Sequence, residues 1–334
     1  MKTKIFYVAL LCASVFLSCE KEIVEPEIPE KPPVEKPEEP DNPNPPTDII
    51  STSGIIKSKI GDIDMIVGTD DWKLVAYGNG KFVAINWSGY ASTSTDGVNW
   101  TTPKKATTNR TSFKSLRFIN GQFILVNYYD GQLCFTTDGM NWTFKYPISS
   151  SYFYDITYGN GKYVVVGYQG YIAVLTNDFK VESYQWIKDS LDDKWNKIIF
   201  ANGKFVVVVG DRYGRTSSST DGINWTPVKQ GSGADVTYGN GRFVAVDNGS
   251  ISVSSDGESW KRATIQNGSN YNWTSITYNN GKFIAVGHEY VSYNNYMGYI
   301  ITSADGENWK IPEVLKDESG NIVTATLNGV CAMP

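Results

Sequence analysis

The sequence predicts an all-β protein built by repetition, and three observations carry that reading. Asn-Gly pairs occur at 79–80, 120–121, 160–161, 202–203, 240–241 and 280–281, spaced by 41, 40, 42, 38 and 40 residues. Each pair lies between two strand-like runs, as in "KLVAYGNGKFVAI" and "DVTYGNGRFVAV". A second turn follows in most repeats, as "STDGVNW", "TTDGMNW", "STDGINW", "SSDGESW" and "SADGENW". Two hairpins in about 40 residues make four strands, and a four-stranded unit repeated at that period is the blade of a β-propeller.

Each element has a local cause. Asn-Gly favours the type I′ turn because both central residues need positive φ. The strand after it is nearly all Val, Ile, Ala and Phe, so both of its faces are expected to be buried. In the second turn, Asp accepts backbone N–H bonds, Gly takes positive φ, and Trp100, Trp142, Trp225, Trp260 and Trp309 are expected to pack each hairpin on its own blade. One repeat departs: "TNDFKVESYQW", ending at Trp186, is longer and lacks the glycine. This pattern resembles the Asp-box (BNR) repeat of β-propellers, usually Ser-x-Asp-x-Gly-x-x-Trp, with one residue fewer between Asp and Gly. The resemblance covers the whole body, and one aspartate per blade reads as architecture rather than as calcium or catalytic chemistry.

Six repeats are complete between Trp72 and about Pro312. The remaining pieces, 49–71 and 313–334, together amount to one more blade. The C-terminal piece has Asn328-Gly329 between short apolar runs, like a first hairpin. The N-terminal piece keeps Ser58-x-x-Gly61, like a second hairpin. Seven blades, the last shared between the termini, are therefore expected; a six-bladed ring with loose ends is the alternative. Sharing would close the ring and remove open sheet edges. Cys134 and Cys331 fall in blades with a whole blade between them, beyond disulfide reach, and are expected to be buried free thiols.

Three segments organise the chain: 1–18, 19–48 and the propeller 49–334. Lys2 and Lys4 precede an apolar run from Ile5 to Leu17, too short to span a bilayer and typical of a signal peptide. "FLSC", ending at Cys19, resembles the lipobox of bacterial lipoproteins, which implies cleavage before Cys19 and its acylation. The linker behind it holds nine of the 14 prolines and ten acids against three lysines. It has no apolar pattern to bury. As polyproline II, at about 3.1 Å per residue, it would reach roughly 90 Å. Glu20 and Glu22 look like the export signal of surface-exposed lipoproteins in some Gram-negative bacteria. An outer-membrane lipoprotein facing the exterior is therefore expected, touching the membrane only through its lipid; a periplasmic orientation is the alternative.

Charge narrows the function classes. Residues 49–334 hold 25 acids and 25 bases, so the body is neutral and lacks the basic footprint of a nucleic-acid binder. The single histidine, His288, argues against His-based metal sites and a Ser-His-Asp triad. No cofactor is expected, and the chain is expected to be a monomer.

Strand alternation separates two faces. The Asn-Gly and Asp-Gly turns share one face. The second-to-third and blade-to-blade loops share the other, and there the repeats differ, which is where function usually sits on a rigid scaffold. Those loops carry Trp87, Tyr128, Tyr129, Tyr152, Tyr168, Tyr213, Tyr290, Tyr293 and Tyr296. Aromatic faces among amides and carboxylates suit sugar rings. The expected ligand site comprises Trp87, Tyr128, Tyr129, Tyr168, Arg212, Tyr213, Asp247, Asn248, His288 and Tyr290. The expected function is non-catalytic recognition of a glycan or polysaccharide, beside a neighbouring outer-membrane uptake complex. An adhesion or protein-interaction propeller would use the same residue types. Asp-box propellers include sialidases, which need three converging arginines. Of the arginines here, only Arg117 lies on an inner strand, so the resemblance does not carry that activity. Asp130, Asp211, Asp247 and Glu289 keep a glycoside hydrolase open on fold analogy alone.

Overall fold

The computed structural model describes residues 51–107, 112–149, 151–187, 195–209, 214–230, 233–266 and 271–333. The expected signal peptide, Cys19 and linker lie outside the described residues, as do Asp211, Arg212 and Tyr213.

The body is a seven-bladed, all-β propeller. Six sheets have four antiparallel strands each, in chain order for five of them. In the sixth blade the outer position is taken by the short strand Glu313–Val314. The innermost strands are Trp72–Gly78, Phe113–Ile119, Phe153–Gly159, Lys197–Ala201, Asp235–Gly239, Asn272–Asn279 and Leu327–Ala332. Each packs beside the next, and Leu327–Ala332 packs against both Asn272–Asn279 and Trp72–Gly78, so the ring is closed. Seven buried apolar clusters fill the blade junctions. Between the third and fourth blades, for example, Val164 and Val166 meet Phe205 and Val207.

Both termini build the seventh blade, but not with the strands the sequence suggests. Asn328-Gly329 is not a turn: it lies within Leu327–Ala332, which pairs with Ile63–Thr69. The C-terminus therefore contributes one inner strand rather than two. The N-terminal hairpin Ile55–Ile60 with Ile63–Thr69 supplies the second and third positions, giving three strands. The reason is that Leu327, Val330 and Ala332 are buried against the Ile63, Met65 and Val67 face, which a turn at 328–329 would have removed.

The turns behave locally as expected. Asn79, Asn120, Asn160, Asn202, Asn240 and Asn280 all have φ between 45 and 50°, each followed by a glycine at positive φ. In the second turn Asp138 Oδ1 accepts from the N–H groups of Met140 and Asn141, and Gly139 N–H donates to Thr136 Oγ1. The same bonds recur around Asp96, Asp221, Asp256 and Asp305.

The packing of these turns corrects one expectation. They staple each blade to the preceding one rather than only to their own. A Cβ on Gly139 would meet Val83 and Thr93 of the first blade at 2.6 Å, and one on Gly306 would meet Val244 of the fifth at 2.6 Å. The repeat without glycine keeps the turn by placing Phe179 at φ 64°, and its ring packs on Phe135 of the preceding blade and on Tyr163. Cys134 is buried, while Cys331 is only partly so and lines the central channel; both are free thiols.

Candidate functional site: the loop-side mouth of the central channel

The seven inner strands enclose a channel with a cavity of about 480 Å³. How side chains reach it depends on backbone detail. The first, second, third and sixth inner strands each begin with a bulge, between Trp72 and Leu74, Phe113 and Ser115, Phe153 and Asp155, and Trp273 and Ser275. The residues left out of the ladder are Lys73, Lys114, Tyr154 and Thr274. A bulge re-aims its extra residue. Lys73, Lys114 and Thr274 line the cavity, joined by Lys197 and Asn328.

A cluster of tyrosines from the second and third blades adjoins Lys114. Tyr128 contacts Tyr129, Tyr152 and Tyr154 with ring centroids 5.2, 4.9 and 5.3 Å apart, and Tyr152 reaches Tyr168 at 6.2 Å. Lys114 Nζ lies 5.0 Å from the Tyr128 ring centre and 5.6 Å from that of Tyr154. Burial raises the phenol pKa of both tyrosines, so they stay neutral donors. Trp87 is 52% exposed. Its indole Nε1 donates to Asp70 O, and Lys73 Nζ sits 3.8 Å from its ring centre. Burial, then the Lys114 and Lys197 charges, push the Lys73 ammonium down to about 8.

Deeper in the channel, Arg117 makes a two-pronged bond to Asp155 through Nε and a terminal nitrogen. Asp155 is fully buried and also accepts from Ile198 N. Burial works against both charges, but each holds the other ionised: Arg117 is raised and Asp155 lowered. Arg117 keeps 31% of its side-chain surface, and that part faces the channel it lines. Asp235 accepts from Ser275 Oγ, Ile276 N and Val236 N. Asp155, held ionised, is no proton donor at neutral pH.

The expected site residues divide. Tyr128, Tyr129 and Tyr168 form one group, completed by Tyr152 and by Tyr154, and Trp87 is tied to the same mouth through Lys73. His288 and Tyr290 form a second group with Tyr296, at 5.3 and 5.7 Å, on the sixth blade. His288 is a strut: Leu327 N–H donates to its Nδ1, and its Nε2 lies 3.3 Å from the Asn272 amide. Burial lowers its pKa, keeping it neutral. Tyr290 is 62% exposed, on the long hairpin Lys282–Ser292 with Asn295–Ser303. Asp247 turns back on its own loop and accepts from Asn248 N, while Asn248 bridges to Asn272. Among the described residues no group of three His, Cys, Asp or Glu is placed to hold a metal ion.

Sequence reasoning missed Lys73, Lys114, Lys197 and Tyr154. For Lys73, Lys114 and Tyr154 the only signal was the position directly after the aromatic that opens an inner strand, as in "WK", "FK" and "FY"; Lys197 stands two residues after Trp195.

No described protein family and no curated protein matches this sequence. Solved structures do resemble its fold. YCF48 bound to D1 peptide matches at 13% identity with a TM-score of 0.52, over 70% of this chain and 91% of that one. Virginiamycin B lyase from Staphylococcus aureus matches at 16% identity and 0.57, over 76% and 88%. A catalytically inactive form of that lyase with quinupristin matches at 12% and 0.57, over 76% and 96%. At such identities the likeness establishes the β-propeller fold and nothing finer.

Proposed function

We propose that this protein is a non-catalytic binding propeller that takes a glycan at the loop-side mouth of its channel. One observation carries the reading: five tyrosines and an exposed tryptophan gather on the loop face of the first three blades, next to Lys73 and Lys114 of the channel cavity. Ring faces accept the C–H faces of a pyranose, phenols donate to or accept from its hydroxyls, and lysine ammoniums donate to them. The lipobox-like Cys19 and the acidic linker support an outer-membrane lipoprotein displayed outward, where extracellular polysaccharide would reach it. The five Ser/Thr-x-Asp-Gly turns, with their shared hydrogen bonds, support kinship with Asp-box propellers, in a shortened form.

A glycan microarray with the purified protein tests the ligand class. Binding that Trp87→Ala and Tyr129→Ala together weaken, with Tm held, supports the reading. Silence across the array overturns it.

A second reading, a protein partner, is favoured by the sixth blade. Its hairpin extends past the sheet and exposes Tyr290, Val291 and Tyr293, the last at 86%. Replacing those three with serine would then abolish capture of the partner without touching glycan binding.

A further inference from the structure

We propose that a second pocket on the loop face, between the seventh and first blades, holds an uncharged sugar ring of the glycan. This deepens the glycan reading and rests on it.

The pocket is a cavity of about 380 Å³, within the roughly 300–1,000 Å³ of small-ligand sites. Ser51, Ser53, Asp70, Asp71, Asn86 and Ser88 supply its polar wall. Its frame is fixed by hydrogen bonds. Trp72, 1% exposed, donates from Nε1 to Ser51 O at 3.0 Å, and Thr69 donates to Gly54 O from both N–H and Oγ1. The same wall supports Trp87, whose backbone N–H donates to Asp71 O and whose indole Nε1 donates to Asp70 O. The exposed indole of the candidate site therefore adjoins this pocket.

The first ground is a buried amide with an open donor. Asn86 and Asn127 end the second strands of the first two blades, Lys81–Asn86 and Gln122–Asn127, and are 5% and 1% exposed. In Asn127, Oδ1 accepts from Ser112 N–H and Nδ2 donates to Gln132 Oε1. In Asn86, Oδ1 accepts from Tyr90 N–H at 2.8 Å, but Nδ2 has no acceptor among the described residues. Polar groups of buried side chains are normally hydrogen-bonded, so this donor calls for an acceptor that enters the cavity.

The second ground is the acceptors on the same wall. The Asp71 carboxylate has no hydrogen bond or ion pair with the described residues. Asp70 uses Oδ1 alone, towards Thr326 N–H and Oγ1. Ionised carboxylates accept and never donate. The pocket thus offers open acceptors together with an open amide donor.

That combination selects the ligand. Two carboxylates repel an anion. A hard cation would take the amide oxygen as a ligand, and Tyr90 N–H already holds that oxygen. An ammonium answers the carboxylates but cannot accept from Asn86. A hydroxyl donates and accepts, and a pyranose carries several on one rigid ring. A neutral sugar therefore answers both kinds of group at once.

Titration calorimetry on the full protein tests this with neutral oligosaccharides of glucose, mannose and galactose, an oligogalacturonate, a chitosan oligosaccharide and calcium chloride. A neutral oligosaccharide is expected to bind at least ~10-fold more tightly than either charged one. Asn86→Asp keeps an acceptor for Tyr90 N–H and turns the open donor into an acceptor. Asp71→Asn makes the converse change on an exposed side chain. Each should weaken the neutral probe roughly 10-fold, and Asp71→Asn should leave Tm level. If Asn86→Asp fails to fold, Asp71→Asn still decides. A neutral sugar whose binding falls with Trp87→Ala and Tyr129→Ala together, but not with either pocket variant, overturns the pocket while the glycan reading stands. Tighter binding of a charged sugar does the same. Absence of any sugar binding, with or without calcium held through Asp71, overturns both.

Discussion

The two faces of the disc are made from the same strands and obey opposite rules. On the turn face, five of the seven blades end in nearly the same hydrogen-bonded pair of turns, and those turns fasten one blade to the next. Asn240 Nδ2, for instance, donates to Gly281 O and Ala304 O of the following blade. On the loop face, the blades diverge, rings stand exposed, and Lys73, Lys114 and Lys197 line one cavity. The difference teaches where stability and recognition reside. One face is saturated with internal bonds, and the other keeps donors and rings for something else.

The largest expected effect would remove the support of both faces at once. Deleting residues 325–334 takes away the single inner strand that closes the ring. Cooperative thermal unfolding should be lost, not merely shifted. A truncated chain that melts as sharply as the intact one would show that closure is dispensable.

Next comes the turn face. Gly306→Ala puts a Cβ at positive φ and within 2.6 Å of Val244 Cγ2. Strain and overpacking together should cost about 2–4 kcal/mol in denaturant unfolding, with ligand affinity of the folded fraction unchanged. Asn240→Ala loses three inter-blade hydrogen bonds and the residue best suited to its φ of 46°. About 2 kcal/mol is expected. Loss of binding without loss of stability in either variant would break the division between faces.

pH separates the faces by window. Asp138 and Asp221 are held below the ordinary carboxylate range, chiefly by the N–H groups of Asn141 and Asn224. A carboxylate with a depressed folded pKa stabilises above its unfolded value of about 4, and that contribution fades as pH falls through the folded one. The turn face should therefore weaken below about pH 4. Lys73 works at the other end. Its charged form is disfavoured in the fold, so the folded state releases its proton first. Stability should rise from about pH 8 toward the ordinary lysine value of 10.5. Lys73→Met should flatten only that alkaline limb of a Tm-versus-pH curve.

The smallest effect belongs to the loop face. Trp87→Ala with Tyr129→Ala should move Tm by no more than about 3 °C while weakening a glycan several-fold, near 1 kcal/mol per ring. Unfolding of that variant would make the rings packing residues and blur the comparison.

Much of this was legible because its causes are local. Asn-Gly dictates its turn wherever it stands, and a period-two strand announces which side is buried. From those alone follow the blade, the two faces and the tyrosines gathered on one of them. Phe179 shows where locality stops. Its turn reads as broken, yet the ring fits between Phe135 and Tyr163 and holds a positive φ that the residue alone would avoid.

By itself, then, the sequence determined the repeat, the turns, the count of blades and the sharing of the last one between the termini. Only the tertiary structure decided that Leu327–Ala332 closes the ring as a single strand, because its register is chosen by the apolar face of Ile63–Thr69. It alone decided that Lys73, Lys114 and Lys197 line one cavity. Residues about 40 or more apart converge only when seven strands close around an axis, and a bulge, which has no fixed signature in composition, turns two of them inward.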